Sequence, residues 1–139
     1  MSNNFEQISL KSGFMKHNGG LFFKTISENE YECKTTINEN HLNAAGITHG
    51  GFIAAVVDAG AGTAAHRAAD QNPCVTISLE LKFISTIKLG QELFGKIKIQ
   101  KKTKSMIFLT WELTAANKIV ATASGVWKIL KLAGAGPGG

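Results

Sequence analysis

Asp58 is the one acidic residue between Glu39 and Asp70, and it stands midway along an apolar run, with Val56 and Val57 before it and Ala59 and Ala61 after it. A carboxylate set among such neighbours needs compensation: a solvated edge, a cation such as His66 or Arg67 of another chain, or a part in proton transfer. Upstream, Asn43-Ala44-Ala45-Gly46-Ile47-Thr48-His49-Gly50-Gly51 brings a carboxamide, an imidazole and glycine amides to the point where the apolar run begins. If that run is a helix, its first N–H groups are free and carry partial positive charge. Glycine there lets a ligand oxygen reach the backbone with no Cβ in the way, as oxyanion stabilisation requires. Turn chemistry for the glycines and capping for His49 are the ordinary uses of the same residues. Taken jointly, a carboxylate and an oxyanion-stabilising helix start point past those ordinary uses.

The elements that must position these groups follow from periodicity. Gly50–Ala69 is apolar almost all round, through Phe52, Ile53, Val56, Val57 and a series of alanines, which predicts a long helix buried in the middle of the fold. After Pro73, Val75, Ile77, Leu79, Leu81 and Phe83 alternate with Thr76, Ser78, Glu80 and Lys82, predicting a strand whose apolar face is buried. Leu93–Ile99, Ile107–Leu113 and Val120–Ile129 read as further strands, and the short links at Gly90-Gln91, Lys101–Lys104 and Ala116–Lys118 imply antiparallel neighbours. Leu21–Ile26 and Tyr31–Ile37 form a hairpin, Asn38–Thr48 a loop, and Asn4–Met15 a short amphipathic helix. One long apolar helix with alternating strands is best satisfied by a curved antiparallel sheet wrapped around it, an α+β hotdog fold. A single sheet leaves one side of the helix open, so a second copy of the chain is expected to cover it, with Gly60 and Gly62 letting two helices meet.

Asn43-x2-Gly46-x2-His49-Gly50-Gly51, with Asp58 seven residues beyond, resembles the signature of hotdog acyl-CoA thioesterases of the PaaI-like branch of the 4-hydroxybenzoyl-CoA thioesterase superfamily. Thr76-x-Ser78-x-Glu80-Leu81-Lys82-Phe83 and Lys88-Leu89-Gly90 are similar to the strand and turn that follow the helix in that family, and the likeness runs along almost the whole chain. The resemblance implies hydrolysis of an aryl- or fatty acyl-CoA to the acid and free CoA. The Gly50 amide would polarise the thioester carbonyl, and Asp58 would act as general base on water or as nucleophile. Asn43 and Thr76 would orient the water or the carboxylate, and His49 would support the substrate end. Strand alternation turns Thr76 away from its own helix and toward a partner, and Ser78 competes for its role on the same face. No metal or separate cofactor is implied, since CoA is part of the substrate.

Gly50 and Asp58 are eight residues apart, about 12 Å along a helix, too far for one carbonyl to meet both. The acid and the amide would therefore come from different chains of a homodimer, and the resemblance likewise implies shared interface sites, within a homotetramer. Phe52, Ile53 and Phe83 are candidates to line an acyl pocket.

The composition is consistent with this reading. At 139 residues, 44% hydrophobic and 18% charged, the chain is expected to form one folded domain over 1–132, followed by a flexible Gly-rich tail at 133–139. A net charge of +5 favours an anionic partner, yet Arg67 is the one arginine, which argues against nucleic-acid readout. Lys82, Lys88, Lys101, Lys102 and Lys104 are instead candidates for the CoA phosphates. Cys33 and Cys74 have no metal-ligand spacing and read as reduced, structural thiols. No apolar leader or membrane-length run is evident, so a cytoplasmic location is expected, without membrane association. Two other readings compete with the enzyme: a non-catalytic acyl-CoA binding module of the same fold, and a hotdog dehydratase.

Overall fold

Residues 4–131 are described in the computed structural model of the chain. The strands are β1 (Glu6–Gln7), β2 (Phe22–Thr25), β3 (Glu30–Thr36), β4 (Cys74–Phe83), β5 (Glu92–Lys102), β6 (Met106–Ala115) and β7 (Lys118–Ile129). The helices are α1 (Phe14–His17) and the long α2 (Gly50–Ala68), with a single 3-10 turn at Glu39–His41. All strands join one antiparallel sheet in the order β1-β2-β3-β5-β6-β7-β4. The sheet packs against α2, the expected hotdog arrangement. The expected tail at 133–139 lies outside the described residues.

Helix α2 buries one face only. Phe52/Ile53, Val56/Val57, Gly60/Ala61 and Ala64/Ala65 recur every four residues and pack on the sheet, each large apolar side chain contributing about 1.5–3 kcal/mol. Gly51, Ala54, Ala55, Asp58 and Gly62 lie on the other side, exposed or half-buried. Among the described residues the helix thus keeps the open side that a single sheet was expected to leave, a stripe of small residues. Gly60 does not belong to that stripe, contrary to its expected part in a helix–helix contact. A Cβ there would lie 2.6 Å from the Trp111 ring and 2.7 Å from Cys33 Sγ, so glycine is what lets the helix settle on the sheet. Gly60→Ala is expected to destabilise the fold by about 1–3 kcal/mol through overpacking, seen as a lower urea midpoint at unchanged slope. Burial also pushes the Cys33 thiol well above its ordinary range, with Arg67 opposing weakly, and raises the half-buried Cys74.

Three further expectations are corrected. Asn4–Met15 is not one helix, and only Phe14 and Met15 fall in α1: Glu6–Gln7 pair with Phe22–Phe23, and Gln7 Oε1 accepts from the amides of Ser9 and Leu21, so sheet pairing overrides a weak helical period. β4 and β5 are not neighbours despite the short Gly90-Gln91 link, because β4 pairs with β7 at the sheet edge while β5 lies between β3 and β6, so the chain from Ile84 to Gln91 is a crossover. There the Ile87 carbonyl accepts from both the amide and the hydroxyl of Thr48. Finally, β4 does not bury the alternating set. Its pairing with β7 shifts register between Thr76 and Ser78, and the extra residue, Ile77, reverses which side chains face inward. Val75 and Ile77 are 43% and 53% exposed, while Cys74, Leu79 and Leu81 pack against the core.

Candidate active site

The bulge decides where Thr76 goes. Its hydroxyl donates to Asp58 Oδ1 of the same chain at 2.7 Å, although simple alternation turns it the other way. Asp58 sits on the uncovered stripe of α2, open to solvent, and no Lys, Arg or His among the described residues lies within ion-pair distance of it. The cations weighed as its compensation are engaged elsewhere. Arg67 bonds Glu6 and Thr25 over the Phe23 ring, and His66 Nδ1 meets the Asn72 carbonyl. One carboxylate oxygen is thus held by a hydroxyl, in a side chain that is otherwise exposed. Ser78, the competing hydroxyl, is exposed beyond the bulge, with its backbone carbonyl against Gly125.

The second cluster forms at the start of α2. His49 is the N-cap, and its Nδ1 accepts from the Gly51 amide at 2.7 Å. His49 therefore terminates the helix in an orderly way, and the amide of Gly50, the first helical residue, takes no acceptor among the described residues. Asn43 shapes the loop below: its Oδ1 accepts from the amides of Ala45 and Ile47, and its backbone pairs with Ile47 and Gly46. Gly46 has φ +79°, the left-handed conformation that this turn needs. Asn43, Gly50 and Ile53 line an open cavity of about 320 Å³ with Phe83, Ile84 and Ile87. Phe83 bounds it, 3.5 Å from where a Gly50 Cβ would stand. Phe52, expected with Ile53 and Phe83 in an acyl pocket, is instead buried and stacked on His41 at a ring separation of 3.6 Å.

Asp58 and Thr76 are thus brought together, as are Asn43, His49 and Gly50, but the two groups lie about 12 Å apart along α2. The candidate lysines divide too. Lys82 and Lys88 lie toward the Gly50 end, Lys82 beside Glu80 at 3.5 Å. Lys101 and Lys104 flank Lys102 toward the far end of α2, where Lys102 Nζ donates to the Ala68 carbonyl and approaches Asp70 at 3.5 Å. Sequence reasoning missed His41, Ile84 and Ile87. For His41 a signal was present, since Asn38-x-x-His41 closes a reciprocal capping box around the 3-10 turn.

A family model described as the Thioesterase superfamily matches residues 45–122. The chain belongs to the thioesterase superfamily. A Pseudomonas aeruginosa protein provisionally named an esterase is 28% identical over 126 residues, covering 90% of this chain and 94% of its own length. Human acyl-coenzyme A thioesterase 13 is 30% identical over 92 residues, 64% of this chain and 65% of that protein. Among solved structures, a mutant of the phenylacetic acid degradation protein PaaI from Thermus thermophilus superposes with a TM-score of 0.75. It is 21% identical, with 84% of this chain and 97% of that one covered, and shares the hotdog fold. As a member of the thioesterase superfamily the chain is a thioester hydrolase. The stretch that matches the superfamily contains Gly46, His49, Gly50, Asp58 and Thr76, while Asn43 falls just outside it. Among the described residues of this superfamily member, no helix is long and apolar enough to cross a membrane.

Proposed function

We propose that this thioester hydrolase acts on aryl- or fatty acyl-CoA, releasing the acid and free CoA. The observation that carries the reading is the Thr76 hydroxyl donating to an Asp58 carboxylate set on a helix face that nothing among the described residues covers. A second copy laid antiparallel on that face brings one chain's Asp58 toward the other's Gly50 amide. The same copy shields the small-residue stripe of α2 and the exposed edge strand β4, with Val75 and Ile77. The homodimer is thus part of the catalytic reading, and pairing of two dimers gives the tetramer.

In such a site the Gly50 amide donates to the thioester oxygen, where charge develops as the carbonyl carbon becomes tetrahedral. Asp58 either takes a proton from the attacking water or attacks directly to give a mixed anhydride, Thr76 holding its other oxygen. Asn43 of the chain that supplies Gly50 keeps its Nδ2 free to reach the water or the carboxylate, because its Oδ1 is taken up by the loop. His49 holds the helix end by capping Gly51, at the substrate end of the site. Coenzyme A departs as a thiolate, a better leaving group than an alkoxide. Hydrolysis changes no oxidation state, so the reaction calls for no redox group, and the CoA itself arrives as substrate. The cavity beside Gly50, walled by Ile53, Phe83, Ile84 and Ile87, suits an apolar acyl or aryl group. Lys82 and Lys88 at that end, and Lys101 and Lys104 toward the other, offer charge to the CoA phosphates, whereas Lys102 is already engaged with Ala68 and Asp70.

The test is hydrolysis of a panel including hexanoyl-CoA and phenylacetyl-CoA, with thiol detection and parallel sedimentation. Turnover of at least one substrate by a dimer or larger species is expected. Binding of CoA without release would make the protein an acyl-CoA binding module, and an active monomer would sink the two-chain site.

A further inference from the structure

The helix end that carries Gly50 is held from below by a buried histidine. His41 is 1% exposed, and its backbone carbonyl accepts from the His49 amide at 2.7 Å, fixing the residue that caps α2. Its ring is fixed on three sides. Nε2 lies 2.6 Å from the Asn18 carbonyl, Nδ1 accepts from the Asn38 amide at 3.0 Å, and the ring stacks on Phe52 at an interplanar angle of 10°. A carbonyl can only accept and an amide N–H can only donate, so these partners select the neutral ring with its proton on Nε2. Leu42 and Thr48 then pair across the loop, closing the path from His41 to His49 as a short ladder.

We infer that His41 is a positioning residue for the oxyanion donor: it ties the segments at Asn18 and Asn38 to the first turn of α2 and so fixes the direction of the Gly50 N–H. This rests on the reading of Gly50 given above. Aim matters because a donor must meet the oxygen of the transition state, and a displacement of about 1 Å can cost on the order of a hundredfold in rate. The stack on Phe52 sets the ring against the helix, while the two ring hydrogen bonds keep it from turning. The superfamily match begins at residue 45, so His41 acts from outside the matched stretch.

The experiment uses the full chain with His41→Phe, which keeps the stack and loses both ring hydrogen bonds, and His41→Gln, which retains a donor toward Asn18. Ile107→Val, in the core toward the Lys102 end of the sheet, serves as a destabilised control. The expected result in either folded variant is a fall in kcat per folded site on hexanoyl-CoA or phenylacetyl-CoA of about ten- to a hundredfold. Affinity for S-hexyl-CoA, a thioether with no carbonyl, stays within about twofold, because it does not use the Gly50 donor. Amide exchange at His49 and Gly51 quickens about tenfold or more, while the β6 amides follow the control. A kcat loss no larger than that of Ile107→Val, or unchanged exchange at His49 and Gly51, overturns the proposal. Full activity in Asp58→Asn would overturn the site reading instead, and the exchange measurement, which needs no turnover, judges His41 separately.

Discussion

Asp58→Asn is expected to lower kcat for acyl-CoA hydrolysis by about 10²–10⁴-fold, whether the carboxylate serves as base or nucleophile. Folding stability should hold to within about 0.5 kcal/mol, since Asp58 is exposed, has no charged partner among the described residues, and Asn matches Asp in helix propensity. Asn also keeps an oxygen for the Thr76 hydroxyl, so the substitution removes the reactive group while sparing its 2.7 Å contact. Thr76→Val, isosteric but without the donor, should cost about tenfold or less, and little further in the Asp58→Asn background, because the two residues act as a unit. A single turnover in ¹⁸O-labelled water separates the chemical routes. A general base sends the label to the product acid alone, whereas water attacking a mixed anhydride at the Asp58 carbonyl leaves label on the protein. Retention of full activity by Asp58→Asn would end the assignment.

What could be read from the sequence divides along a physical line. Asp58 was conspicuous because a lone carboxylate in an apolar helix conflicts with its local surroundings, and such conflicts gather at functional sites. The glycines around His49 were legible for simpler reasons, Gly46 because its turn needs a left-handed residue and Gly50 because a helix-end amide there carries no Cβ beside it. Helix α2, the β2–β3 hairpin and the β5–β6–β7 meander followed from hydrophobic period. The partner of Asp58 did not, because period-2 reasoning holds only while the ladder is regular, and one inserted residue at Ile77 exchanges the faces of β4. A hint lay in Gly125 on the paired strand, where a Cβ would stand 2.6 Å from the Ser78 carbonyl, as glycine inside a strand often marks such an approach. Which side of α2 stays open was hidden as well. Alanine and glycine occupy both faces, and only the sheet's contacts with Phe52, Ile53, Val56 and Val57 distinguish them. His41 lay beyond periodicity, since the Asn38-x-x-His41 spacing announces only the local cap, while the contacts to Asn18 and Phe52 are assembled by the tertiary fold.

Gly50→Pro is expected to remove the oxyanion donor and little else, lowering kcat by about 10²–10³-fold with KM changed much less. Backbone donors are usually beyond the reach of substitution, but three features of this position make the test possible. Gly50 is the first residue of α2, where proline is well tolerated because its missing N–H is not needed by the helix. His49 already has φ −66° and ψ 131°, the extended conformation that a following proline demands. The Gly50 amide also has no acceptor among the described residues, so its removal leaves no carbonyl orphaned. Gly50→Ala is the control: its Cβ would meet the Phe83 ring at 3.5 Å, an ordinary contact, and its N–H remains. If the donor is what matters, Ala should keep most of the activity and Pro should lose it, at similar thermal midpoints. Equal losses in the two variants would instead assign the effect to crowding of the Phe83 cavity, and an active Gly50→Pro would remove this amide from the mechanism. Mixing Gly50→Pro with Asp58→Asn chains adds a test of the two-chain geometry. A heterodimer of the two retains one intact site when each site takes its amide from one chain and its acid from the other, so activity should reappear on mixing.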